Sequence, residues 1–243
     1  MDIPSILQQY DALLNKEAFR EAGSFLRAAL SAAQAEGDDS AALSLYNELM
    51  GFERQYGSVS SSVAAAEAAL SLLEKLELSY SYPAAMVWLN AATVLKNAGE
   101  NERAGDCYAE AARCFERFYP AGDKAFAGLY NNMAAWLADA GAFDKAEYYY
   151  RRAVGILERY GDVCDLAVTW MNLALLYNRR DPCDEAVETC VQTGMALLNT
   201  AKEPRDGYYY YTCRKCAAAA AELGYLETEQ ILTERADRCY AGH

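Results

Sequence analysis

The sequence predicts an all-α chain, a solenoid of about six helical hairpins. Three observations carry that expectation. The 243 residues include 46 alanines and 27 leucines but only 5 prolines and 15 glycines, so strong helix formers dominate and helix breakers are few. A block of matched positions returns in register after 42 residues and again after a further 40. Within each block, large apolar residues recur at helical spacing on either side of a short polar turn, the signature of two helices folded back on one another.

The best-defined block runs Trp88-Leu-Asn-Ala-Ala92, then Gly99, Ala104, Tyr108 and Ala111. The second runs Tyr130-Asn-Asn-Met-Ala134, then Gly141, Ala146, Tyr150 and Ala153, and the third Trp170-Met-Asn-Leu-Ala174, then Asp181, Ala186, Cys190 and Gly194. Fainter copies flank them: Tyr46, Met50, Gly57, Ser62, Ala66 and Ala69 before, and Cys213, Ala217, Gly224 and Ala236 after. A degenerate first pair is expected over residues 3–36, with Ala22, Leu26 and Ala29 at second-helix positions. The hairpins are thus expected near 3–36, 39–78, 83–119, 123–160, 164–200 and 206–240, forming a single domain over 1–243. Turn signals separate them at Gly37–Ser40, Ser79–Pro83, Pro120–Asp123, Gly161–Asp162 and Glu203–Gly207, and Ser79–Pro83 is the weakest point of the chain. Small residues at Ala92 and Ala104, or Ala134 and Ala146, let paired helices approach closely, and Trp88, Tyr130 and Trp170 fill the wider gaps between layers.

In this pattern of a large aromatic, Asn-x-Ala, a turn glycine, Ala, Tyr and Ala, residues 40–240 resemble the tetratricopeptide repeat (TPR) family. The 40–42-residue period exceeds the family's usual 34. In this it is similar to the kinesin light chain repeats, above all at Tyr130–Ala134 and Ala146–Ala153. The proline that ends the family's second helix is missing in phase, and Pro83, Pro120 and Pro204 stand a few residues later, in keeping with longer second helices. The resemblance implies a right-handed α-α superhelix.

Composition narrows the function classes. With 35 acidic residues against 22 basic ones, a net charge of −13 argues against a nucleic-acid backbone as partner. The single histidine is His243, so Ser-His-acid, Cys-His and His-rich zinc arrangements cannot be assembled, and no catalysis, cofactor or metal site is expected. No run of 18 uninterrupted apolar residues occurs and Met1–Ser5 does not open a signal segment, so a cytoplasmic protein without membrane attachment is expected. All eight cysteines follow residue 100 and read as reduced thiols in helices. Cys213-Arg-Lys-Cys216 has half a zinc site's spacing without a second half, and is expected in the core. Asp162, Asp165, Asp181 and Asp184 lack the order of a calcium loop and read as caps. One or two tyrosines of each run, Tyr148–Tyr150 and Tyr208–Tyr211, are expected to pack between helices.

First helices of a solenoid share an inner wall, so residues in one phase form ladders. Asn90, Asn132 and Asn172 share a phase although asparagine is a poor mid-helix residue. An amide offers a donor and an acceptor side by side, as a peptide backbone does, and the resemblance implies that this asparagine holds an extended ligand's main chain. The alternative is that these residues cap or bridge neighbouring helices. Steps of three or four extend the wall to Met86, Thr93 and Asn97, to Asp139, to Val168, Leu175 and Arg179, and to Tyr211 and Lys215, with Ser44, Glu48, Gly51, Gln55, Gly128, Ala135, Ala218 and Glu222 in the same phase. The wall is nearly neutral, which suits a mostly apolar peptide and disfavours the basic clamp for a C-terminal carboxylate. The expected activity is non-catalytic binding of a protein or peptide segment by a monomer or weak homo-oligomer. A peptide-sensing regulatory module and a self-associating scaffold are the alternatives.

Overall fold

The computed structural model describes residues 1–200 and 207–239. Among them are twelve helices and no strand, divided into two compact units at Ala121 and Gly122. Unit one holds α1 (Ile3–Leu14), α2 (Phe19–Glu36), α3 (Asp39–Tyr56), α4 (Val59–Lys75), α5 (Tyr82–Asn97) and α6 (Asn101–Phe118). Helices α1 and α2, α3 and α4, and α5 and α6 pack as pairs, and α3 also touches α5. Start signals in the sequence act locally: Asp38 accepts from the Ala41 N–H at 3.0 Å, and Ser58 and Ser61 cap α4 reciprocally. Ser81 caps α5, whose first turn contains Pro83. Leu26, Leu45, Met50, Leu73, Leu95, Tyr108 and Phe115 form the deepest core of this unit.

Two glycines in unit one are needed for different reasons. At Gly99 the backbone turns left-handed, φ 81°, so that the Glu100 N–H reaches the Leu95 carbonyl at 2.9 Å and closes α5. Gly57, which shares the turn position of its repeat, has φ −109° and no such requirement. There a Cβ would stand 1.9 Å from Glu53 Oε2, because the nearly buried Glu53 carboxylate folds over the turn to meet Arg27 at 2.7 Å and the Ser61 hydroxyl at 2.7 Å.

Unit two holds α7 (Ala125–Asp139), α8 (Phe143–Tyr160), α9 (Val163–Arg180), α10 (Ala186–Thr200), α11 (Gly207–Glu222) and α12 (Leu226–Arg238). Again α7 pairs with α8, α9 with α10 and α11 with α12, and the first helix α9 touches both α7 and α11. Its core includes Leu129, Leu157, Met171, Leu173 and Leu176. The small positions behave alike in both units: Ala92, Ala104, Ala134 and Ala146 are wholly buried where paired helices meet. In the third block a Cβ on Gly194 would lie 3.3 Å from the Ala167 carbonyl, a close approach of α10 to α9.

Ser79–Pro83 lies inside unit one, tied to α5 by the Trp88 indole N–H, which donates to the Ser79 carbonyl at 2.9 Å. The unit division falls instead in the Pro120–Asp123 turn. Residues 203–206 of the last turn signal, including Pro204, and His243 lie outside the described residues.

Candidate functional site

The inner-wall positions divide according to what their neighbours offer. In unit two, α9 and α11 run side by side, and between them opens a groove of about 270 Å³. Val168, Asn172 and Leu175 line it from α9, and Lys215, Ala218 and Glu222 from α11, with Met171, Cys216 and Ala219 at its base. The residues of the base are buried, those of the wall half-buried or exposed. This geometry follows from helix periodicity, since steps of three and four place Val168, Asn172 and Leu175 on one stripe of α9.

Asn172 makes no side-chain hydrogen bond to any described residue. Beside it, Asn131 of α7 donates to the Thr169 hydroxyl at 2.9 Å, which in turn donates to the Asp165 carbonyl at 2.8 Å. Asn132 of α7 is likewise without a side-chain partner among the described residues, and half-buried. Asp139 and Arg179 are not open to a ligand in the same sense, because they pair at 2.7 Å, and Arg179 also reaches Glu222 at 3.4 Å. The bond that the Arg179 guanidinium donates to Asp139 holds its pKa above the ordinary value. Lys215 rests its ammonium 4.6 Å above the Tyr211 ring, one turn earlier on α11.

Unit one differs. The Asn90 amide donates to Asn47 Oδ1 on α3 at 2.9 Å, and the Asn47 amide leans on Glu48 at 3.3 Å. Here the asparagine bridges two first helices, the second of the two roles open to it. Burial raises the Glu48 carboxyl pKa, against the lowering effect of the Asn47 amide. Thr93, expected on the wall, is 7% exposed and returns its hydroxyl to the Leu89 carbonyl at 2.9 Å. It is removed from the set of contact residues, because it falls on the side of α5 turned to the core. Met86 and Asn97 are exposed.

Cys213 and Cys216 are fully buried, and burial pushes their thiols up to about 11 and about 12, so they remain protonated. No group of three or more His, Cys, Asp or Glu among the described residues is placed to hold a metal ion. Asp162 caps α9 and pairs with Lys124, while Asp184 accepts from the Ala186 N–H at 2.9 Å and from Arg180 at 2.8 Å. Tyr150 and Tyr209 are buried, whereas Tyr148 and Tyr208 are exposed.

No family model matches the chain, and no curated protein matches its sequence. Solved structures do match. BtubC (BKLC) from P. vanneervenii superposes with a TM-score of 0.67 and 25% identity, over 83% of this chain and 82% of its own. Two crystal structures of a Podosopora anserina putative kinesin light chain with nearly identical TPR-like repeats give TM-scores of 0.57 and 0.56 at 16% identity. They cover 82% of this chain and 94% and 95% of theirs. The chain has a TPR-like helical repeat fold. No described helix is long and apolar enough to cross a membrane.

Proposed function

We propose that the protein is a non-catalytic interaction module that binds an extended, largely apolar segment of a partner protein in the α9–α11 groove. The observation that carries this reading is the coincidence of an apolar groove with an amide on its wall, Asn172, that has no side-chain partner among the described residues. An amide in that position satisfies the C=O and N–H of one ligand residue while Val168, Leu175 and the buried base take a neighbouring side chain. Asn132 on α7 offers the same chemistry.

The test is selection from a displayed library of random dodecapeptides, run in parallel on the native protein and on Asn172→Ala. Sequences with a recurrent large apolar residue should be enriched on the native protein, and the enrichment should fall at least about tenfold on the variant, the worth of one well-made hydrogen bond in a desolvated site. Equal enrichment on both proteins, or none on either, would overturn the reading.

A further inference from the structure

The groove between α9 and α11 is flanked by two charges of opposite sign that the fold leaves underused. Resting on the peptide-binding reading above, we infer that the bound segment carries an acidic and a basic residue on either side of its apolar anchor, in the pattern acid-x-apolar-x-base or its reverse.

Lys215 bounds the groove at one end. It is exposed, its ammonium lies over the Tyr211 ring, and it forms no ion pair with a carboxylate among the described residues. Glu222 bounds the other end. Its cationic neighbour among the described residues, Arg179, is committed to Asp139 at 2.7 Å and stands 3.4 Å from Glu222, so most of the Glu222 accepting capacity remains open. The two residues are two turns apart on α11, about 10.5 Å of helix rise. Between them the groove is apolar, and its volume of about 270 Å³ suits one large side chain. Alternate residues of an extended peptide point to one face, so a flanking pair four residues apart spans about 13 Å. The flexible stems of glutamate and lysine absorb the difference. A segment with two like charges would satisfy one end and be repelled at the other.

Four labelled heptapeptides provide the probe, all built as Thr-Z-Thr-Leu-Thr-Z-Thr with blocked ends, the flanking Z pair being Glu/Lys, Glu/Glu, Lys/Lys or Ser/Ser. Binding is followed by fluorescence anisotropy at physiological ionic strength. The Glu/Lys peptide is expected to bind about fivefold more tightly than Glu/Glu or Ser/Ser, a modest gain typical of exposed ion pairs. Lys215→Glu should move the preference to Lys/Lys, and Glu222→Lys should move it to Glu/Glu. Lys145→Glu on α8 changes the net charge by the same amount as Lys215→Glu, away from the groove, and should leave the ranking intact. If Lys145→Glu alters the ranking as Lys215→Glu does, the effect belongs to net charge and the inference is overturned. If all four peptides bind equally and Asn172→Ala weakens them all, the charge pattern fails while the groove reading stands. If none binds, both fail.

Discussion

The same asparagine position has two fates in the two units. In unit one Asn90 is spent on Asn47, which itself leans on Glu48, so the amide ties α5 to α3. In unit two Asn172 makes no such bond to a described residue: the corresponding residue of α7, Asn131, donates to Thr169, and its Oδ1 is buried without a bond to Asn172. A repeated residue therefore does not carry a fixed role. The helix beside it decides whether its hydrogen-bonding capacity is consumed in the fold or left for a ligand.

The largest effects should come from the core beneath each wall. Leu95→Ala in unit one and Met171→Ala in unit two each remove a fully buried side chain, and each should cost about 2–5 kcal/mol in urea unfolding. The two should part company in binding: only Met171→Ala hollows the base of the groove, so only that variant should change peptide affinity once both are measured below their unfolding transitions. Asn47→Ala should cost about 1 kcal/mol, a hydrogen bond lost from the α3–α5 contact, and leave binding in unit two unchanged. If Asn47→Ala costs nothing, Asn90 is not a structural bridge.

The smallest effects distinguish the units by pH. Glu48 in unit one has its pKa raised by burial above the ordinary 4.5, so its charged form opposes folding at neutral pH and the penalty fades as pH falls through the raised value. Glu48→Gln should accordingly stabilise at pH 7, with the gain shrinking as the pH approaches 4.5. Asp162 in unit two behaves oppositely. Burial pushes its carboxyl up, but Lys124 and the Asp165 and Cys164 N–H groups outweigh it and leave the pKa below 3.8. Its contribution is present above 3.8 and is lost as pH falls through the lowered value. Asp162→Asn should thus destabilise at pH 7 by less than about 1 kcal/mol, with half of the ion pair exposed, and the gap should close at lower pH. Urea midpoints across this range check both signs.

The fold was legible because the residues that announce it are repeated: Trp88–Ala92, Gly99 and Ala104 return as Tyr130–Ala134, Gly141 and Ala146. Phase arithmetic also placed Val168, Asn172, Leu175 and Lys215 on helix stripes that face one groove. What it missed depends on neighbours in space. Nothing in the Asn90 block foretells that Asn47, 43 residues earlier, will take its amide. Thr93 is buried although Leu175, the same step of three beyond its asparagine, lines the groove, so the phase of a helix alone does not settle which side its neighbours cover. Met171, Cys216 and Ala219 were passed over because each is one residue off the chosen phase, which is where the base of a groove between two helices must lie.

Asn172 should bind ligand while Asn90 holds structure. Affinity of one library-selected peptide, measured by titration calorimetry against the native protein, Asn172→Ala and Asn90→Ala, tests it most directly. Loss of about tenfold or more for Asn172→Ala, with Asn90→Ala within about twofold of native, is the predicted result. Equal losses for both variants, or an unchanged affinity for Asn172→Ala, would contradict it.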